Sequence, residues 1–171
     1  AFQREYRWEK KHIEALISDL STNFWGCYNE GDTVSDVSNE KRYNCYYMGP
    51  VVLCEEGSEI SIVDGQQRLT SFTLLLIYLN HLQRNLKEED RTDLMQYLYV
   101  RKAGKTTLVL NVPTRERIVQ ELIATDISQI DGLCEFVNVC KDESVSYIYD
   151  RYSDICSLFP EELKQIEILP L

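Results

Sequence analysis

The stretch IVDGQQRLT, residues 62–70, ends an apolar run, turns at Gly65 and enters a long segment with helical periodicity. Apolar residues recur at intervals of three and four as far as about Leu86, which predicts an amphipathic helix. The first backbone N–H groups of such a helix have no partners within it. Because the helix dipole adds positive potential at this end, the corner suits a phosphate group.

The side chains of this corner each have a chemical use at a phosphate site. Gly65 lets the backbone approach closely, since it has no Cβ. Gln66 and Gln67 supply amide groups, and the planar fork of Arg68 matches phosphate oxygens. Asp64 can hold a magnesium ion or orient a water molecule. However, Asp64 followed three positions later by Gln67 also forms a capping box, which explains the segment without a ligand. Both interpretations stay open.

Helical and strand patterns alternate on either side of the corner, so we expect an α+β fold. Between the strand at 46–53 and the strand at 60–63 lies a turn centred on Gly57, which predicts a hairpin. A polar stretch over 26–44 predicts a loop. The helical patterns and the remaining strand patterns are as follows: helices at 13–24, 69–86, 88–100, 114–123, 133–137 and 145–159, and strands at 106–112 and 166–169.

The opening segment is the second group of interest. Gln3, Arg4, Tyr6, Arg7 and Trp8 place amide, cationic and aromatic side chains within six residues. Stacking combined with phosphate contact is a common way to hold a nucleotide or an unstacked base. The alternative is that the aromatic rings pack on the following helix while the arginines face solvent. Composition leaves both possibilities in place.

Length, charge and hydropathy exclude several classes of protein. The chain has 171 residues and 44% hydrophobic content, enough to bury a core. A formal net charge of -10 argues against a surface that grips nucleic acid broadly through phosphates, although it allows a local basic site. The apolar runs are far shorter than the roughly 18 residues that span a bilayer, so we expect no membrane segment.

Cysteine and histidine positions do not predict a metal site. The six cysteines show no CxxC spacing, and no histidine lies near any of them, whereas zinc needs converging ligands. We expect buried free thiols in a reducing cytoplasm. His12 and His81 fall in predicted helices, as surface or packing residues. The cysteines are Cys27, Cys45, Cys54, Cys134, Cys140 and Cys156.

The triplet Gly104-Lys105-Thr106 is similar to the end of a P-loop. A P-loop needs a glycine five positions earlier, where this chain has Tyr99, and it needs a strand before and a helix after. The predicted order here is reversed. The sequence therefore predicts a solvated turn at this point and no P-loop.

Three motifs together carry a family resemblance: FQREYRW at residues 2–8, YYMGPVVL at 46–53 and IVDGQQRLTSFTLLL at 62–76. They resemble the N-terminal domain family with a DGQQR signature, which includes the GmrS half of GmrSD-type, modification-dependent restriction enzymes. The family is grouped with ParB/sulfiredoxin-like folds. The resemblance implies a small mixed sheet with helices over 1–112, forming a nucleotide-binding domain, and a mainly helical extension over 113–171.

The resemblance also implies a function and a site. A nucleoside triphosphate with magnesium would bind at the DGQQR turn, and the catalytic residues would be Asp64, Gln67 and Arg68. The nucleotide-binding residues would be Gly65, Gln66, Arg68, Thr70, Arg4 and Gly49. Gln3 and Tyr6 would sense modified DNA, and Asp64 is the one candidate for a magnesium ligand.

The expected function is therefore a nucleotide-binding and nucleotide-hydrolysing sensor domain of a cytoplasmic restriction or phage-defence protein that acts on modified DNA. The nuclease domain or subunit is expected to lie outside this chain. Because the chain begins at Ala1 without a methionine, we expect it to be a fragment of a longer protein. Two alternatives remain. One is a DNA-binding module without enzymatic activity, and the other is a metal-dependent DNase at the DGQQR site.

Overall fold

A computed structural model of the chain describes residues 5–34, 43, 46–57, 59–102, 104–109, 113–140 and 142–171. In these residues the α-helices are α1 (Lys10–Cys27), α2 (Gln66–Leu82), α3 (Met95–Leu98), α4 (Pro113–Ala124), α5 (Leu133–Cys140) and α6 (Glu143–Leu158). The strands are β1 (Val52–Glu56), β2 (Glu59–Asp64), β3 (Tyr99–Lys102) and β4 (Lys105–Leu108). Short 3-10 helices lie at Gln83–Asn85, Glu88–Asp90, Ile127–Gly132 and Glu161–Lys164. The predicted α+β class is confirmed.

The strands pair as two antiparallel hairpins. In the first, β1 pairs with β2, with Leu53 opposite Ile62 and a register irregularity at Val52. In the second, β3 pairs with β4, with Tyr99 opposite Leu108. Within the described residues these hairpins are separate two-stranded sheets, whereas the resemblance implied one small mixed sheet. Each strand pairs with its neighbour in sequence, so each hairpin closes on itself.

Helix α6 lies at the centre of the packing. It contacts α1, α2, α4 and α5, and it buries Val145, Ile148, Tyr152 and Ile155. These positions repeat at intervals of three and four, which places them on one face of a helix. The resulting core cluster runs from Tyr6 to Ile155 and takes residues from both sides of position 112. The domain boundary at 112/113 stays a prediction.

The predicted helix over 88–100 is wrong. A 3-10 turn, the short helix α3 and strand β3 occupy this stretch. The carboxamide of Gln83 causes part of the difference: its Nε2 donates to the carbonyl of Thr92 (2.7 Å), and its Oε1 accepts from the N–H of Thr92 (3.0 Å). Arg91 donates to the carbonyls of Arg84 and Leu86. These bonds occupy backbone groups that a continuous helix would use, and the chain turns back.

Three strand predictions also need correction. The strand predicted over 46–53 begins only at Val52, and β4 ends at Leu108, while residues 110–112 lie outside the described part of the chain. The predicted strand at 166–169 is a turn, because the N–H groups of Ile168 and Leu169 both donate to the carbonyl of Gln165. No described strand lies beside it to supply a ladder.

The described cysteine thiols agree only partly with the prediction made from the sequence. Every described cysteine is free, but the prediction that the thiols are buried is wrong for Cys134, which is exposed, and only partly right for the others, which are partly buried. Burial raises the pKa of Cys156 to about 11. Cys45 lies outside the described residues.

No helix in the described part of the chain is long and apolar enough to cross a bilayer.

His81 is buried near the end of α2, where its Nδ1 shares a 2.6 Å hydrogen bond with the hydroxyl of Tyr152. Burial, followed by the charge of Arg84, lowers the pKa of His81 below its ordinary value. Between the folded-state pKa and the unfolded value of about 6.5, the unfolded chain binds more protons. Stability is therefore present above about pH 6.5 and is lost as pH falls.

We expect His81→Gln to flatten this pH dependence. From pH 7.5 to 5.5 the wild-type protein should lose up to about 1.4 kcal/mol more unfolding free energy than the variant. This limit is one proton taken up by the unfolded chain over the one pH unit below its pKa of about 6.5. Urea denaturation at the two pH values measures the difference. Equal losses in the two proteins would show that His81 does not titrate on unfolding.

Candidate functional site

The DGQQR corner has the strand–turn–helix form predicted from sequence. Strand β2 ends at Asp64, Gly65 takes a left-handed conformation with φ 95°, and α2 starts at Gln66. A Cβ at Gly65 would lie 3.1 Å from the side chain of Val51 and 3.4 Å from the carbonyl of Pro50. Both the positive φ and the close packing therefore require glycine here.

The predicted capping box between Asp64 and Gln67 is wrong. Gly65 is the residue that precedes the helix, and no side-chain hydrogen bond caps this end. The carboxylate of Asp64 instead accepts from Nη2 of Arg68 (3.0 Å), one turn into the helix. A guanidinium one turn away is a stronger partner for a carboxylate than a backbone amide. The corner thus keeps its first helical amides free of side-chain caps, as a phosphate site would need.

Arg68 connects the corner to the segment before β1 through hydrogen bonds. Its Nη1 donates to the carbonyl of Met48 (2.9 Å), and its Nη2 donates to the carbonyl of Pro50 (2.7 Å). Gly49 lies between these two residues with φ 89°, and a Cβ there would come within 2.0 Å of Nη1 of Arg68. Gly49 is therefore the residue that lets the guanidinium lie flat against this backbone. The guanidinium carries further N–H donors beyond these bonds.

Gln67 connects the corner to the opening segment. Its Nε2 donates to the carbonyl of Glu5 (2.6 Å), and its Oε1 accepts from the N–H of Arg7 (2.7 Å). The carboxamide thus satisfies one backbone carbonyl and one backbone N–H of the opening segment, as a neighbouring strand would. The carbonyl of Trp8 accepts from Nη1 of Arg151 on α6 (2.9 Å). These bonds hold the indole of Trp8 beside the DGQQR turn.

Tyr6 anchors the same segment from below. It is fully buried, and its hydroxyl shares a 2.7 Å hydrogen bond with Oγ of Ser71. Burial raises the pKa of Tyr6 to about 12. A direct contact between Tyr6 and DNA, as the resemblance implied, is not compatible with this position, because the ring is part of the core. Gln3 and Arg4 lie outside the described residues.

A cleft of about 220 Å³ opens at the corner, and we call it the turn cleft. Five of the predicted site residues, those at positions 64–68, meet in it, and Trp8 is the wall contributed by the opening segment. The lining residues are Trp8, Val63, Asp64, Gly65, Gln66, Gln67 and Arg68. Gln66 lies partly below its surface, since its Nε2 donates to the carbonyl of Ile62.

A second cleft of about 230 Å³ shares Trp8 and Arg68 with the first, and we call it the ring cleft. Sequence reasoning missed it, because its walls come from α1, α2 and the segment before β1. Its lining residues are Trp8, His12, Ala15, Leu16, Asp19, Tyr46, Met48 and Arg68.

Thr70 lies away from both clefts. Its hydroxyl donates to the carbonyl of Gln66 (2.8 Å), and the residue lines a larger apolar cavity of about 450 Å³ behind the corner. That cavity is bounded by both hairpins and by α2, α4 and α6. The predicted contact between Thr70 and a nucleotide in the turn cleft is therefore not supported by its position.

Two further kinds of site were considered from the sequence, a P-loop at the GKT triplet and a metal site. Gly104 lies in the turn between β3 and β4, and Lys105 and Thr106 begin β4, so the GKT triplet leads into a strand and does not form a P-loop. In the described residues, no group of three or more His, Cys, Asp or Glu side chains is placed to hold a metal ion. Asp64 is thus a single carboxylate, with its side chain 64% exposed.

Comparison with known proteins gives one match. A family model described as GmrSD restriction endonuclease, N-terminal domain, matches residues 1–168. Comparison with curated proteins and with solved structures found no match. The matched range includes the opening segment, the DGQQR corner and the helices α4 to α6.

Proposed function

Because the chain belongs to the N-terminal domain family of GmrSD restriction endonucleases, we propose that it is the nucleotide-binding sensor domain of a restriction or phage-defence protein that acts on modified DNA. The observation that carries this proposal is the turn cleft, which opens where a strand passes into an uncapped helix. Cleavage of the DNA would be carried out by a nuclease domain or subunit outside this chain.

The phosphates of a nucleoside triphosphate fit the turn cleft by charge. The first backbone amides of α2, at residues 66–68, carry the positive end of the helix dipole. Arg68 adds a cation at the edge of the cleft, where its side chain is 25% exposed. Asp64 is the side chain that would hold a magnesium ion, whose charge would offset that of the phosphates when bound. The chain itself supplies donors in fixed positions, which is the main contribution to phosphoryl transfer.

Hydrolysis at this site would be slow. Arg68 neutralises charge that develops on the phosphoryl group, and Asp64 orients the attacking water. Gln67, which the resemblance placed among the catalytic residues, uses both ends of its carboxamide on the opening segment. We therefore infer that Gln67 positions the segment that carries Trp8 and does not take part in the hydrolysis. The DNase alternative has less support, because phosphodiester cleavage usually requires clustered carboxylates.

Tryptophan fluorescence tests whether a nucleotide occupies the turn cleft. The chain has two tryptophans, Trp8 at the clefts and Trp25 in an aromatic group at the end of α1. In the Trp25→Phe variant, the emission of Trp8 should change as a nucleoside triphosphate and magnesium are added, and the change should reach a plateau when the site is full. In Trp8→Phe, the emission of Trp25 should not change. Equal responses in the two variants would place the nucleotide elsewhere.

Affinity measurements complete this test. Trp8→Ala should weaken nucleotide binding by about 5- to 150-fold, since stacking on an aromatic side chain contributes about 1–3 kcal/mol. Asp64→Asn should reduce the effect of magnesium on binding. Asp93→Asn is the matched control, because Asp93 is exposed and lines neither cleft. Thermal shift and calorimetry report binding directly. If no nucleoside triphosphate stabilises the wild-type protein with or without magnesium, the proposal is wrong.

A further inference from the structure

The apolar cavity behind the DGQQR corner, of about 450 Å³, shares no lining residue with the turn cleft or the ring cleft. Its volume lies in the range of roughly 300–1,000 Å³ that is typical of small-molecule sites. The described residues that line it are aliphatic or aromatic, except for Thr70, Thr73 and Arg115. A ligand that fills this cavity must therefore be mainly apolar.

Arg115 is the one charged residue among the described residues that line the cavity, and it is only 5% exposed. Burial lowers the pKa of the Arg115 guanidinium below its ordinary value, while the charge of Asp142 acts in the opposite direction. An arginine side chain nevertheless stays protonated in a protein. The cavity therefore contains a positive charge in surroundings of low dielectric constant, where an anion gains most from it.

The other polar side chains of the cavity are already used as donors. The hydroxyl of Thr70 donates to the carbonyl of Gln66 (2.8 Å), and that of Thr73 donates to the carbonyl of Leu69 (2.9 Å). None of the described lining residues is acidic, although the chain carries a formal net charge of -10. The guanidinium therefore sets the polar chemistry of this cavity, and its planar fork matches a carboxylate.

Two lining residues show where the cavity meets solvent. Tyr97 and Val109 are 59% and 53% exposed. Both lie at the base of the second hairpin, where the N–H of Val109 donates to the carbonyl of Leu98 (2.9 Å). The cavity is thus open on the side of this hairpin and closed at Arg115, a shape that suits a ligand with an apolar body and one charged end.

We propose that this cavity binds an apolar molecule with a single carboxylate, of the size of a medium-chain fatty acid, and that Arg115 pairs with the carboxylate. Burial of the apolar body against the aliphatic and aromatic walls supplies most of the affinity. Ile62 and Leu69 lie on either side of the DGQQR turn, so the ligand contacts both elements that form the corner. This site is distinct from the turn cleft and does not require a bound nucleotide.

Calorimetric titration of the wild-type chain with hexanoate, octanoate and decanoate tests the apolar part of the site. Each added methylene should tighten binding about fourfold, as expected for a buried CH₂ group. The charged part is tested with 1-octanol and octylamine, which have eight carbons like octanoate but no carboxylate. Octanoate should bind about tenfold or more tightly than either, as expected for a charge-assisted hydrogen bond in a buried site.

The variant that isolates the carboxylate contact is Arg115→Met, which keeps a long side chain and removes the charge. It should reduce the preference for octanoate over 1-octanol to about twofold or less. Arg117→Met is the matched control, because Arg117 lies on the same helix with its guanidinium over the ring of Phe136 and does not line the cavity. Thr73→Leu places a larger side chain in the cavity and should weaken the binding of octanoate and 1-octanol alike.

An NMR titration of the wild-type chain gives a readout that does not depend on the folding of Arg115→Met. Octanoate should shift the Nε–H signal of Arg115, and 1-octanol should shift it much less. The inference is overturned if octanoate does not bind, if octanoate and 1-octanol bind equally, or if the Nε–H signal is unchanged at saturation. The nucleotide titrations are independent of these results, since the turn cleft and the cavity share no lining residue.

Discussion

Gly49→Ala is expected to lower the free energy of unfolding by about 2–4 kcal/mol and to weaken nucleotide binding at the same time. A side chain in the left-handed region costs about 1–2 kcal/mol. The new Cβ would also come within 2.0 Å of Nη1 of Arg68 and push the guanidinium off the carbonyls of Met48 and Pro50. Each of those hydrogen bonds contributes about 0.5–1.5 kcal/mol.

The matched control for Gly49→Ala is Gly31→Ala. Gly31 has nearly the same φ, 91° against 89°, but a Cβ there meets nothing within 4 Å. It should therefore cost only the backbone strain, about 1–2 kcal/mol. Thermal unfolding should show a drop of about 5–15 °C for Gly49→Ala, at about 2–4 °C per kcal/mol for a chain of this size.

A double-mutant cycle separates the two contributions at Gly49. In an Arg68→Ala background, Gly49→Ala should cost no more than Gly31→Ala, because the guanidinium that it would displace is gone. Equal costs of Gly49→Ala and Gly31→Ala in the wild-type background would mean that Arg68 does not lie against Gly49.

The second large effect is expected at Tyr6. Tyr6→Ala should lower the unfolding free energy by about 3–5 kcal/mol, as for other buried aromatic residues. Tyr6→Phe should cost only about 1 kcal/mol, since it removes the hydroxyl but keeps the ring in place, and Oγ of Ser71 still donates to the carbonyl of Gln67 (3.0 Å). Tyr47→Ala is the control, because Tyr47 is 79% exposed and should change stability by less than about 0.5 kcal/mol.

Urea denaturation measures all three tyrosine variants. The midpoint should fall steeply for Tyr6→Ala, slightly for Tyr6→Phe and hardly at all for Tyr47→Ala, with similar slopes in each case. A Tyr6→Ala variant as stable as Tyr47→Ala would show that residues 5–8 are not packed on α2. The assignment of Trp8 to the wall of both clefts would then lose its support.

Local signals predicted the parts of the fold that local interactions determine. Helix α6 follows from apolar residues on one face, and the corner at Gly65 follows from an apolar strand, a glycine and a periodic helix. Contacts between distant residues were not predictable in this way. Gln67 meets Glu5 across 62 positions, and Asp19 meets Tyr46 across 27. Nothing in the spacing of these residues indicates which partner each carboxamide or carboxylate takes.

The site was predicted to the same extent. Asp64, Gly65, Gln66, Gln67 and Arg68 line the turn cleft because they are consecutive and share one turn of chain. The roles of the aromatic residues in the opening segment could not be predicted without knowing how that segment packs. Tyr6 and Trp8 are two positions apart, yet one lies in the core and the other at the clefts. Local spacing gives no reason for this difference, since residues two apart in an extended segment share one side. The packing of the segment on α2 and α6 decides it.

The most direct test of the proposed site is an NMR titration that follows the backbone amides of the wild-type chain with a nucleoside triphosphate and magnesium. If the phosphates bind at the start of α2, the amides of Gln66, Gln67 and Arg68 should show the largest shifts, together with the indole N–H of Trp8. The amides of Gly104 and Lys105, at the turn end of the other hairpin, should not shift. Shifts centred on that turn, or saturating binding with no change at residues 66–68, would contradict the account.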